Sequence, residues 1–328
     1  MKIGMALIKT FSYLLLYLAT VGYSQASVAQ NIKNNKPPAY IQVDQGALFF
    51  QEFGSGDPIV VLHGGPGLDQ SYLLPQMLAL AKDHRLIFYD QRGSGKSLNT
   101  KIDSNHINLD QFTKDLENLR LALGLKKFIL LGHSWGGLLA MDYATKHQDA
   151  ISSLILLNTA PADYSGQQAF LNEFKIKTRG IESTVSALSN DAEFSKLEAD
   201  QINKLYRTLF SVYFYKPNDV DHLTLEMTKE SARSGFNVMQ EMSRTSWMNP
   251  RVNLLPALKQ VHVPTLIIHS NQDIIPAHTA VSIKNAIPRA KIIYLEQCRH
   301  FPYIEQPKAL FTAIRSFLHP LSLHATSP

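Results

Sequence analysis

Gly132-His133-Ser134-Trp135-Gly136-Gly137 follows the apolar run Phe128-Ile129-Leu130-Leu131 and precedes a helical stretch from Leu138 to His147. The order reads as a strand, a sharp turn and a helix. A serine at the apex of such a turn takes strained backbone angles, and Gly132 and Gly136 stand where a β-carbon would clash. Its hydroxyl is thereby pushed out beyond the strand end. This is the pattern of a nucleophile elbow, and the strand before it and the helix after it are the context that the chemistry requires.

Working outward, buried strands are predicted at Ile59-Val60-Val61-Leu62, Arg85 to Tyr89, Ser153 to Asn158, Thr265 to His269 and Ala290 to Leu295, with a short hairpin turning at Asp44-Gln45-Gly46. Helices are predicted around Ser71 to Ala81, over Leu109 to Leu123 with Asn108 or Asp110 as its cap, and from Gln306 to Leu318. Strands alternating with helices imply a mostly parallel sheet covered on both faces, an α/β architecture. The alternation breaks between β-rich halves. Residues 160–255 show helical, charged and aromatic segments but no convincing strand, and read as an inserted helical cap within a core of residues 39–159 and 256–320.

A serine hydroxyl is a weak nucleophile, so Ser134 needs a histidine base, and the histidine needs a carboxylate to fix its tautomer. Both belong on loops after later strands. Asp273 follows the strand Thr265 to His269, and His300 follows the strand ending at Leu295, which makes them the expected partners. Acyl transfer also needs two backbone N–H donors for the developing oxyanion. One is expected from Trp135, immediately after the nucleophile. The other is expected from Gly65 in the loop His63-Gly64-Gly65-Pro66-Gly67, at the end of a central strand.

Gly95-Lys96-Ser97 imitates the end of a phosphate-binding loop, but the glycine required five residues earlier is Asp90, which rules nucleotide binding out. Asp90 and Arg92 are instead expected to hold this loop beside the site through charge-assisted hydrogen bonds.

The chain has 328 residues, 45% of them hydrophobic, enough for a large core. Its formal charge of +5 comes from 32 basic and 27 acidic residues with no block of one sign, which reads as solubility and not as a nucleic-acid footprint. The single cysteine, Cys298, excludes an internal disulfide and any multi-cysteine metal site. At the N-terminus, Lys2 and Lys9 precede an apolar segment from Phe11 to Tyr23, and small residues follow at Ala26 and Ala29. Residues 1–29 therefore read as a secretory signal peptide and residues 30–38 as a flexible lead-in, so that a secreted or periplasmic protein is expected, with an uncleaved anchor as the alternative.

From about Tyr40 to Leu318 the sequence is similar to the α/β-hydrolase superfamily. Within it, the pairing of His63-Gly64-Gly65-Pro66-Gly67 with Asp90-Gln91-Arg92-Gly93-Ser94-Gly95-Lys96-Ser97 resembles the proline iminopeptidase family of serine peptidases. The resemblance implies an eight-stranded, mostly parallel sheet with a helical cap, and Ser134, Asp273 and His300 as nucleophile, acid and base. It further implies an aminopeptidase that releases N-terminal proline or a small apolar residue from short peptides, with no metal and no organic cofactor. In such enzymes cap carboxylates hold the free amino terminus, because a buried ammonium needs paired charge, and Glu226, Glu230 and Glu241 are the candidates here. Phe210, Tyr213, Phe214 and Tyr215 would line an apolar pocket or form the core of the cap. The elbow itself, with His133 before the serine and Gly137 after Gly136, matches many esterases, so a carboxylesterase or related small-molecule hydrolase on the same triad is the alternative. The expected partner is a small peptide or ester, without nucleic acid and without stable membrane insertion after signal cleavage.

Overall fold

The computed structural model describes residues 36–322. The predicted signal peptide and most of the lead-in lie outside these residues. The lead-in was expected to run to Pro38, but the first strand begins at Lys36, whose ammonium lies 3.1 Å from Glu52 on the neighbouring strand. Pro37 and Pro38 fall where the register shifts between Lys36 and Ala39. Proline has no N–H to give to a ladder, so an irregular edge strand is where it fits.

The sheet has eight strands: β1 (Lys36–Val43), β2 (Gly46–Phe53), β3 (Pro58–Leu62), β4 (Arg85–Tyr89), β5 (Phe128–His133), β6 (Ile151–Leu157), β7 (Thr265–Ser270) and β8 (Ala290–Leu295). Their order across the sheet is β1-β2-β4-β3-β5-β6-β7-β8. The β1–β2 and β2–β4 pairs are antiparallel, and every other pair is parallel. Successive side chains of a strand point to opposite faces. Accordingly Val60 and Leu62 of β3, with Leu130 of β5, join one apolar cluster, while Ile59 and Val61, with Ile129 and Leu131, join another.

Helices α1 (Leu109–Ala122), α2 (Trp135–His147) and α7 (Ala277–Ala286) cover the first face. The Asn108 side chain caps α1 by accepting from the Gln111 N–H. The second face is covered by α8 (Pro307–Ser322) and by residues 70–82. That second segment was expected to be one helix. It is two short 3-10 turns, Gln70–Leu73 and Gln76–Lys82, because Pro75 cannot continue a helical ladder and holds Leu74 extended at ψ 148°.

Between β6 and β7 the chain forms α3 (Tyr164–Lys177), α4 (Glu182–Ser189), α5 (Ala199–Ser211) and α6 (Lys229–Met242). It leaves and returns at one place, since Asp163 and Asn253 bridge and the Leu254 N–H donates to the Ala162 carbonyl at 2.8 Å. These helices share a small core of their own around Phe194, Ile202 and Phe236. They also meet the glycine-rich loop after β3. A β-carbon at Gly235 of α6 would overlap the carbonyl oxygen of Gly67, so the two backbones touch.

Gly235→Ala tests this contact. Helix propensity alone would favour alanine by about 1 kcal/mol. Overlap with a backbone that cannot swing aside should reverse the sign and destabilise the protein by about 1–3 kcal/mol, read as a lowered urea midpoint. An equal or higher midpoint would show that α6 and the loop are not packed backbone to backbone.

Candidate active site

The six parallel strands, β3 to β8, end at one edge of the sheet, and the loops beyond them carry the polar residues of the site. Ser134 lies between β5 and α2 with φ 55° and ψ −123°, a conformation that only a tightly determined neighbourhood holds. Its N–H donates to the Leu157 carbonyl at 3.1 Å, and its own carbonyl accepts from Ala160 and Gly137 at 2.9 Å each. A β-carbon at Gly132 would strike the Gly136 carbonyl, and one at Gly136 would strike the Leu62 and His63 carbonyls. Glycine at both positions is therefore a condition of the turn.

Asp273, after β7, and His300, after β8, are both buried, and the His300 Nδ1 lies 2.9 Å from the Asp273 Oδ1. Burial alone would raise the Asp273 carboxyl, but the His300 charge and hydrogen bond, with His269 and Asn158, together hold it below the ordinary carboxylate range. An ionised carboxylate only accepts, so Nδ1 of His300 donates to it. The backbone N–H of His300 donates to the Tyr213 carbonyl at 3.0 Å, which fixes the residue to the chain after α5.

Asn158, at the end of β6, is a residue that the sequence reading passed over as the last position of a strand. Its φ is 41°, and its Nδ2 donates to Asp273 Oδ2 at 2.7 Å and to the Arg299 carbonyl at 2.9 Å. It thus occupies the carboxylate oxygen that His300 does not. An asparagine directly after a buried strand, where left-handed φ is tolerated, was the available signal.

The loop after β3 is tied down from both sides. His63 Nδ1 lies 2.8 Å from the Gly64 carbonyl, and its Nε2 accepts from the Gln91 N–H at 2.9 Å. Gln91 also accepts from the Trp135 indole at 3.0 Å. Gly65, at φ 122°, lines the cavity described below, and Trp135 is fully buried at the start of α2. The Asp90–Ser97 loop is held as expected by its two charges, though each has a distant partner. Arg92 forms a fully buried pair with Asp115 of α1 at 2.7 Å, and Asp90 accepts from the Lys96 N–H at 2.8 Å and from Gln70.

Above Ser134 and His300 lies a cavity of about 300 Å³. Phe170 and Phe174 of α3, Leu188 of α4, Tyr206, Leu209 and Phe210 of α5, Tyr213 and Met239 wall it. Of the expected aromatic group, Phe210 and Tyr213 face this space, whereas Phe214 is buried against Phe301 at 4.7 Å and Tyr215 is exposed. Among the described residues, no Asp or Glu lines the cavity. Glu226, Glu230 and Glu241 are not brought to the site: the first two are solvent-exposed, and Glu241 is paired with Arg244 at 2.5 Å outside the cavity. Each sits on the outward side of its segment, where charge costs least. Also among the described residues, no three His, Cys, Asp or Glu side chains are grouped to hold a metal ion, and no helix is long and apolar enough to cross a membrane.

His63 and His133 are both buried, and desolvation lowers them to about 4 and about 3 from an ordinary 6.5. A histidine kept neutral by the fold contributes its full stability above pH 6.5, and the contribution is lost as the unfolded chain takes up the proton below that pH. His133→Gln should therefore flatten the fall in stability between pH 6 and pH 4 by about one proton, about 1.4 kcal/mol per pH unit. Urea unfolding across that range reads it, and identical slopes in both proteins would mean that His133 titrates normally in the fold.

A sequence profile described as the alpha/beta hydrolase fold matches residues 57–307. The chain is 29% identical over 287 residues to a proline iminopeptidase from Heyndrickxia coagulans, covering 85% of this chain and 98% of that one. Among solved structures it is similar to a proline iminopeptidase from Mycobacterium smegmatis, with a TM-score of 0.64, 20% identity and coverage of 88% and 99% of the two chains. An esterase from a Rhodococcus species superposes as well, with a TM-score of 0.66, 21% identity and coverage of 87% and 100%. The parallel sheet, the elbow at the end of its fifth strand and the profile match together place this chain in the alpha/beta hydrolase fold family.

Proposed function

We propose that the protein is a serine hydrolase which transfers the acyl group of a neutral, apolar ester or amide to Ser134 and then to water. The observation that carries the substrate class is the cavity over Ser134, walled by aromatic and aliphatic side chains and free of carboxylates among the described residues. An apolar acyl group gains by entering it. A free ammonium would lose its hydration there without finding a counter-charge.

In this reading His300, oriented by ionised Asp273 2.9 Å away, takes the Ser134 proton through Nε2 as the hydroxyl oxygen attacks the carbonyl carbon. The oxyanion is received by the N–H groups of Gly65 and Trp135. The tetrahedral intermediate collapses as His300 returns the proton to the leaving alcohol or amine. Water, deprotonated by the same imidazole, then attacks the acyl-enzyme and releases the acid. Neither step calls on a metal or an organic cofactor.

Similarity to proline iminopeptidases over most of the chain favours a second reading, the release of N-terminal proline or a small apolar residue from short peptides. The two readings separate in one assay that offers a nitrophenyl ester of an apolar acid, prolyl-naphthylamide and its N-blocked form. The expected result is turnover of the ester, no preference for the free over the blocked amide, and a loss of at least about a thousandfold in Ser134→Ala. Turnover of the free prolyl amide that disappears on blocking would overturn the neutral-substrate reading in favour of the aminopeptidase. Undiminished turnover in Ser134→Ala would overturn both.

A further inference from the structure

The proposed mechanism leaves unused a chain of buried hydrogen bonds that runs beneath it. The Gly64 N–H donates to the Tyr72 hydroxyl at 2.5 Å, the Tyr72 oxygen lies 2.7 Å from His133 Nδ1, and His133 Nε2 lies 2.9 Å from the carbonyl oxygen of His300. Tyr72 and His133 are 2% and 1% exposed, so no water competes for these contacts.

The protons in this chain have one consistent arrangement. A carbonyl oxygen only accepts, so Nε2 of His133 carries the proton. Nδ1 is then bare, because burial lowers the ring to about 3 and keeps it neutral. A bare Nδ1 accepts the Tyr72 O–H, which leaves the Tyr72 oxygen free to accept from Gly64. Every donor meets an acceptor, and the direction runs from Gly64 through Tyr72 and His133 to His300.

The ends of this chain are what give it meaning. Gly64 adjoins Gly65, His133 adjoins Ser134, and the last acceptor belongs to His300 itself. Three loops, after β3, β5 and β8, carry the proposed oxyanion donor, nucleophile and base, and no backbone hydrogen bond of the sheet links the outer two. The place that a Gly64 β-carbon would occupy lies 2.8 Å from the Tyr72 hydroxyl and 2.9 Å from the Ser134 β-carbon, so the chain passes directly beside the nucleophile. The His133 and His300 rings are 4.8 Å apart, in contact as well as bonded.

We propose that Tyr72 and His133 are positioning residues: through the Gly64–Tyr72–His133–His300 chain they set the spacing of the oxyanion loop and the base around Ser134. By holding the Gly64 N–H, Tyr72 also leaves Gly65 as the N–H of that loop turned toward substrate. This proposal rests on the hydrolase reading above and adds two residues to it.

Tyr72→Phe keeps the ring and removes the links to Gly64 and His133. His133→Ala breaks the chain at its centre, while His133→Gln keeps one donor and one acceptor. Labelling of Ser134 by a fluorophosphonate and turnover of an apolar nitrophenyl ester are measured on each folded variant, with folding checked by circular dichroism. The expected result for Tyr72→Phe and His133→Ala is a fall of about 10- to 100-fold in labelling rate and in kcat, with KM within about twofold, as for a reacting group displaced by about 1 Å. The double variant should lose no more than the worse single one, since a chain is broken only once, and His133→Gln should recover part of the loss. Wild-type labelling rate and kcat in both single variants, or losses confined to melting temperature, would overturn the proposal. Should His133→Ala not fold, Tyr72→Phe and His133→Gln decide it alone. A wild-type protein that the probe does not label would instead sink the hydrolase reading, so the two failures are told apart.

Discussion

Everything in this molecule that bears on chemistry depends on one backbone constraint, the left-handed conformation of Ser134 at the end of β5. A non-glycine residue at φ 55° and ψ −123° costs about 1–3 kcal/mol, and it persists only where the surroundings outweigh it. Here they do. Leu138, Leu139, Met141 and Tyr143 of the following helix are fully buried, and each contributes about 1.5–3 kcal/mol by leaving water. The turn must also be narrow, and three contacts close on it: the backbone at the end of β3 against Gly136, the Gly136 carbonyl against Gly132, and the Thr159 side chain against Gly137. The same packing that stores the strain brings the loops after β3 and β6 to the serine.

Around that turn, several buried polar groups pair with one another. Asp273 serves His300 with one oxygen and Asn158 with the other. Arg92 and Asp115 sit 2.7 Å apart with side-chain exposures of 0% and 2%, so removal of either partner would leave an uncompensated charge in the core. Such pairs contribute little net energy but tolerate few alternative arrangements. That property suits a site whose loops arrive from six strands. The Trp135 indole, Gln91 and His63 extend the same logic on the far side, where Gln91 bridges the elbow helix to the glycine-rich loop.

The alternation of apolar strands and helices, and the punctuation by Gly132 and Gly136, made the fold class legible, because the parallel sheet of an α/β protein is buried on both faces and writes itself as continuous β-branched and leucine runs. Ser134, Asp273 and His300 were nameable for a related reason: each follows a strand by a short loop, and position in the chain then fixes position at the sheet edge. Tyr72 and Asn158 carry no such mark. Tyr72 lies on a short 3-10 turn within a segment that periodicity reads as a single helix, and its contact spans 61 residues to His133. The three glutamates lie away from the cavity for a different reason. A helix or a loop can turn a carboxylate inward or outward, and composition does not say which; the structure turns Glu226, in the loop before α6, and Glu230, in the first turn of α6, to solvent.

The substrate question then becomes a comparison of magnitudes inside one cavity. Burying about 100 Å² of apolar acyl surface against Phe170, Phe174 and Leu209 is worth about 2.5 kcal/mol. Carrying an unpaired ammonium into the same walls costs several kcal/mol, and Glu241 of α6 is already paired with Arg244 outside the cavity. A free amino terminus would thus lose more on entry than its apolar side chain could return. A neutral acyl group keeps the whole gain. In the proposed reading, the helices between β6 and β7 set selectivity through the shape and apolar area of the cavity, while the loops at the sheet edge carry the reacting groups.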